Sequence, residues 1–84
     1  MAELIQQYAD AVRDARGNLY VALAYGEERV GGTWVGWLEF RPVGGVGAAL
    51  RTERETTQPD RGALEYWASG LEAIYLEGAL ARAA

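Results

Sequence analysis

Glycine divides this chain of 84 residues into short pieces: Gly17 stands beside Asn18, Gly31 beside Gly32, and Gly44, Gly45 and Gly47 cluster together. A parallel pair of strands needs a connection of a dozen or more residues, and the glycine-bearing connections Gly26 to Gly32 and Val43 to Gly47 are far shorter. Strands that follow one another here must therefore pair antiparallel.

Ahead of the first glycine, Leu4, Ile5, Tyr8, Val12 and Ala15 fall on one side of a 3.6-residue wheel. Glu3, Gln6, Gln7, Asp10, Arg13 and Asp14 occupy the other side, which predicts an amphipathic helix stopped by Gly17 and Asn18. Leu19 to Tyr25 reads as a strand that is apolar on both faces. Thr33 to Arg41 reads as a second strand, ended by Pro42. Ala48 to Thr57 reads as a third, its latter half setting Arg51, Glu53 and Glu55 on one face, a charge density that guards a sheet edge. Thr57 followed by Pro59 and Asp60 is a capping-box pattern for a last helix. Leu64, Trp67, Ala68, Leu71, Ile74, Tyr75 and Gly78 then repeat at helical spacing to about Ala83, with Ser69 and Gly70 placed where a bend would fall. The expectation is an α+β fold: a three-stranded antiparallel meander with two helices, in αβββα order, packed on one face. It forms one domain over residues 1–84.

The chemical inventory is narrow. There is no His, Cys or Lys, and Ser69 is the single serine. The imidazole base, the thiolate nucleophile, the Schiff-base amine and the soft metal ligands are thus missing, and no enzyme activity and no cofactor are expected. Glu53, Glu55 and Asp60 form the densest acidic group, but Arg51, Arg54 and Arg61 interleave with them, so a solvated charge ladder is expected in place of a metal site. Gly44 to Gly47 precedes a strand and lacks the Lys and hydroxyl of a phosphate loop, which leaves hairpin geometry as its reading.

Eight arginines against twelve acids give a formal charge of −4. Nucleic acid is accordingly an unfavoured partner and a membrane is not expected. No apolar stretch approaches the ~20 residues of a membrane span, and the opening residues lack the basic-then-apolar order of a signal peptide, so the expected location is the cytoplasm. One Asn, one Met and no Cys leave few heat-labile groups, which is compatible with a thermophilic origin.

Half of the residues are hydrophobic, which is generous for so small an interior. If both helices cover the sheet face bearing Leu19, Val21, Leu23, Leu38 and Phe40, then Tyr20, Ala22, Ala24, Val35 and Trp37 look outward from the other face. On the last helix, Ala73, Leu76 and Leu80 lie away from the main stripe and need separate cover. Tyr20, Val35, Trp37, Ala73, Leu76 and Leu80 are therefore the candidate interface residues.

The element order resembles that of double-stranded RNA-binding domains, although those present Lys where this chain has Asp60, Arg61 and Gly62. It is also similar to the strand meander and helix of HicB-type antitoxins, which dimerise. Arg54 to Arg61, RETTQPDR before a helix, resembles the third-strand-to-helix junction of ribonuclease H, whose first strand supplies an Asp that Leu19 to Tyr25 lacks. The expected function is that of a small non-enzymatic interaction protein, a homodimer formed through the apolar sheet face, the C-terminal helix, or both. Two alternatives stand beside it. One is an antitoxin-like or nucleic-acid-associated regulator, with Arg41, Arg51, Arg54 and Arg61 as candidate anion contacts. The other is a small-ligand module with an aromatic pocket near Trp34, Tyr66 and Trp67.

Overall fold

A computed structural model describes all the residues, Met1–Ala84. The order along the chain is β1 (Glu3–Gln7), β2 (Val12–Arg13), β3 (Leu19–Glu28), β4 (Trp34–Pro42), β5 (Leu50–Arg51), β6 (Thr56–Gln58), α1 (Arg61–Ser69) and α2 (Ala73–Arg82). Every pairing in the six-stranded sheet is antiparallel: β3 and β4 pair at its centre, β1 and β2 follow one another along the outer edge of β3, and β5 and β6 along the outer edge of β4. The protein is thus α+β with two helices, but the three-stranded meander in αβββα order is corrected to six strands followed by both helices.

The largest correction is at the start of the chain, where the expected helix is replaced by β1 and β2. Leu4, Ile5, Tyr8 and Val12 do mimic a helical stripe, yet pairing wins because the long strand β3 would otherwise present a bare row of backbone groups. A bulge between Leu4 and Gln6 breaks the two-residue alternation, and Ile5 packs beside Gly26 on the helix side of the sheet. Tyr8 donates its N–H to the Ala22 carbonyl, and after a bend Val12 is buried opposite Tyr20. Gly17 and Asn18 close a hairpin where a helix end was expected. Asp14 accepts hydrogen bonds from the backbone N–H groups of Arg16 and Asn18 and from the Asn18 amide, and Gly17 takes φ +87°.

The third strand is also corrected. It is interrupted between Arg51 and Thr56, so Arg51, Glu53 and Glu55 do not form one ladder. Thr52 bridges the gap: its N–H donates to the Leu38 carbonyl at 2.9 Å, and its hydroxyl accepts from the Leu38 N–H at 3.0 Å. Glu53 and Arg54 are exposed on this irregular edge.

Side-chain size decides which face the helices cover. In the register, Ala22 opposes Phe40, Ala24 opposes Leu38 and Gly26 opposes Gly36, and these residues lie beneath α1 and α2. The larger Val21, Leu23 and Tyr25 point to the other face, which reverses the expected orientation of this strand. A Cβ on Gly36 would sit 2.7 Å from a Leu64 methyl, and one on Gly26 would collide with the same side chain. The paired glycines form a saddle that lets α1 approach the sheet closely.

α1 is capped by Asp60 itself, whose carboxylate accepts from the Ala63 N–H at 2.8 Å; Thr57 lies within β6. The helices do not run on as one. α1 ends at Ser69 and α2 restarts at Ala73, and this break resets the buried stripe from Leu64 and Ala68 to Leu76, Ala79 and Leu80. No helix is long and apolar enough to cross a membrane.

Candidate interaction surface

The sheet face away from the helices closes over itself. Leu23, Val35 and Trp37 are buried although no helix lies above them. Trp37 stacks on Tyr25, its strand neighbour, with centroids 6.3 Å apart and planes at 15°, and the Arg51 guanidinium lies 4.5 Å from the Trp37 ring. The Trp37 indole N–H donates to Glu39, and Arg41 donates to the Tyr25 hydroxyl at 2.8 Å. Charged and aromatic side chains thereby form a cover for the apolar layer.

The helical layer is different. The reset at Gly70–Glu72 that buries Leu76 and Leu80 turns Ile74 outward, 79% exposed, while Tyr66 of α1 is 83% exposed. Tyr66 lines a shallow cleft with Gln58, Ala63, Trp67, Gly70 and Leu71. One wall is braced from below: Trp67 meets Tyr75 edge-on at 6.5 Å. The Tyr75 hydroxyl donates to Glu55 at 2.5 Å, and Arg82 donates to the same carboxylate oxygen at 2.6 Å. Burial, and then the hydrogen bond and charge of Glu55, push the Tyr75 phenol upward against the opposing influence of Arg82. A second support is Tyr8, whose hydroxyl donates to the Ala68 carbonyl at 2.6 Å. Burial foremost, then Tyr75, pushes Tyr8 up to about 12.

The residues singled out from sequence are scattered over these features. Tyr20 is half-buried on the helix side of the sheet, packed against the core. Val35 and Trp37 do lie on the opposite face, beneath the cover just described. Ala73 is exposed at the first position of α2, but Leu76 and Leu80 are core residues of their own chain. The arginines do not converge either. Arg41 holds Tyr25, Arg51 lies on Trp37, and Arg61 joins Glu3 and Glu65 while lying 5.6 Å from the Trp34 ring. Arg54 stands by itself on the exposed edge. Trp34 is buried opposite Gln58 and does not line the cleft, which brings together only Tyr66 and Trp67 of the expected aromatic group. No group of three potential metal ligands is present, and every buried side-chain polar atom has a partner.

Sequence reasoning missed Tyr66 as an exposed residue and placed Ile74 in the buried stripe. The signal was Ser69–Gly70: a break there shifts the phase of everything that follows. No family model, no curated protein and no solved structure matches this chain.

Proposed function

We propose that this protein is a non-enzymatic interaction module that works as a homodimer, two copies meeting through the outer surface around the α1–α2 joint. The observation that carries the reading is the exposure of Tyr66 and Ile74, two large apolar residues on either side of the α1–α2 break, Tyr66 lining an open cleft with Trp67 and Leu71. Aromatic anchors at the centre of a patch supply most of the free energy of association, and polar residues around them exclude water. Glu65, Ser69 and Glu72 supply such a rim. A two-fold contact needs one surface that complements itself, and a protruding tyrosine next to a cleft meets that condition.

The sheet face is less suited to the task, because Trp37 already has Tyr25, Arg51 and Glu39 as partners. Sedimentation velocity separates the two surfaces. Replacing Tyr66 and Ile74 together by Glu is expected to give a folded monomer, whereas Trp37→Glu is expected to destabilise the fold. A wild-type protein that stays monomeric at high micromolar concentration contradicts the proposal.

A further inference from the structure

On the other side of Leu71, a cavity of about 150 Å³ opens between the Tyr8–Val12 bend and the first turns of α2. Its lining is Tyr8, Ala9, Ala11, Val12, Leu71, Ala73 and Leu76, with two polar residues, Asp10 and Glu77. An apolar cavity of this size accommodates a group about as large as a benzene ring, which is the scale of one side chain. The walls are firm, since Val12 and Leu76 are core residues and the Tyr8 hydroxyl is held by the Ala68 carbonyl. Three alanines keep the mouth open.

Both carboxylates are exposed, and neither forms an ion pair. Arg13 and Arg16 border the neighbouring depression, which Glu77 shares, yet they pair with neither Asp10 nor Glu77. An apolar socket edged by two unpaired carboxylates has a definite complement. We propose that it receives an arginine or lysine side chain from a partner protein, the aliphatic stem lying in the cavity and the charged head meeting Asp10 and Glu77. Long cationic side chains divide themselves in this way between apolar and polar surroundings. A purely apolar occupant would strip water from the carboxylates without replacing it, and an acidic or phosphorylated occupant would meet like charge. The socket shares Leu71 with the cleft beside Tyr66, so its occupancy is tested apart from association.

The test is a heteronuclear NMR titration of the full chain with Ac-Ala-Leu-Arg-Leu-Ala-amide, run beside the same peptide with Lys, citrulline or Glu at the centre. The Arg and Lys peptides are expected to move the amides of residues 8–12 and 73–77 saturably. Citrulline, which keeps the shape of Arg without the charge, is expected to bind roughly tenfold more weakly or worse, as loss of a charge-assisted contact implies. The Glu peptide is expected not to bind. Ala73→Trp, at an exposed position, should abolish the response, and Asp10→Asn with Glu77→Gln should make the Arg peptide behave like citrulline. Equal binding of Arg and citrulline peptides, shifts confined to other residues, an unaffected Ala73→Trp variant, or no response at millimolar peptide would each overturn the proposal. Repeating the titration on the single Tyr66→Glu variant, which leaves residues 73–77 unchanged, separates the result from dimerisation.

Discussion

Tyr8 joins the first strand to the end of the first helix through one hydroxyl, and its environment makes a testable demand on pH. The folded protein holds the phenol proton to about pH 12, against an ordinary value near 10.0. A raised folded pKa means that this contribution is complete below pH 10 and is lost as pH climbs from 10 towards 12. Tyrosinate absorbance should therefore show Tyr8 ionising late, together with alkaline unfolding. Tyr8→Phe should reduce that late phase by one tyrosine and cost about 1 kcal/mol in denaturant unfolding at neutral pH, from the lost hydrogen bond to Ala68. Gly36 makes a second demand at this scale. Gly36→Ala forces a methyl against the wholly buried Leu64 and is expected to cost about 1–3 kcal/mol. Combined with Leu64→Ala, which opens the space, the two losses should be markedly less than additive. The inward alternation of Trp34, Gly36, Leu38 and Phe40 was legible in the sequence. What Gly36 is for was not, because the facing Gly26 and Leu64 are brought to it only by register and packing.

Among the elements, β3 and β4 could be read as strands from their apolar residues, but their ends could not: β3 runs on through Gly26 to Glu28, expected in the turn, and Pro42 pairs with Tyr20 inside β4 instead of ending the pairing. The start of the chain was misread as a helix. Leu4, Ile5, Tyr8 and Val12 satisfy a helical period, and the same residues satisfy a strand once a bulge re-aims Ile5; only long-range pairing with β3 separates the two. The face of β3 was misjudged for a related reason: hydropathy favours burying Val21 and Leu23 under the helices, but the helices lie close enough that Ala22, Ala24 and Gly26 are what fits. The start of α1 was placed within a few residues, with Asp60 in a different role. Asp60→Ala should cost about 1 kcal/mol through loss of the cap, measured by chemical denaturation. Gly70 lies in the break but adopts ordinary right-handed backbone angles, φ −93° and ψ −3°, with no close neighbour for an added methyl. Gly70→Ala is accordingly expected to raise stability by about 0.4–1 kcal/mol by restricting the unfolded chain, with the break retained. A straightened helix in that variant would show that glycine freedom, and not packing, sets the phase of α2.

For the whole molecule, the sheet carries two unlike coverings: two helices on one side, and a lid of Tyr25, Trp37, Arg51 and Glu39 on the other. The second covering explains how so many aromatic residues fit into so short a chain. The large apolar residues left exposed include Tyr66 and Ile74 at the helix joint and Val30, Val43 and Val46 in the loops, whereas sequence placed the surplus on the sheet face and at Ala73, Leu76 and Leu80 of the last helix. That surplus was legible as an amount, from composition, but not as a location, because the share at the joint depends on one helix break. Each copy carries a formal charge of −4, so like charges oppose association, and salt is expected to strengthen the dimer by screening them. Sedimentation equilibrium of the wild type and of the Tyr66→Glu, Ile74→Glu variant, across micromolar concentrations and two salt levels, measures the claim directly. The account predicts twice the chain mass for the wild type and the chain mass for a folded variant. A wild type that sediments at the chain mass throughout, or a variant that still pairs, contradicts it.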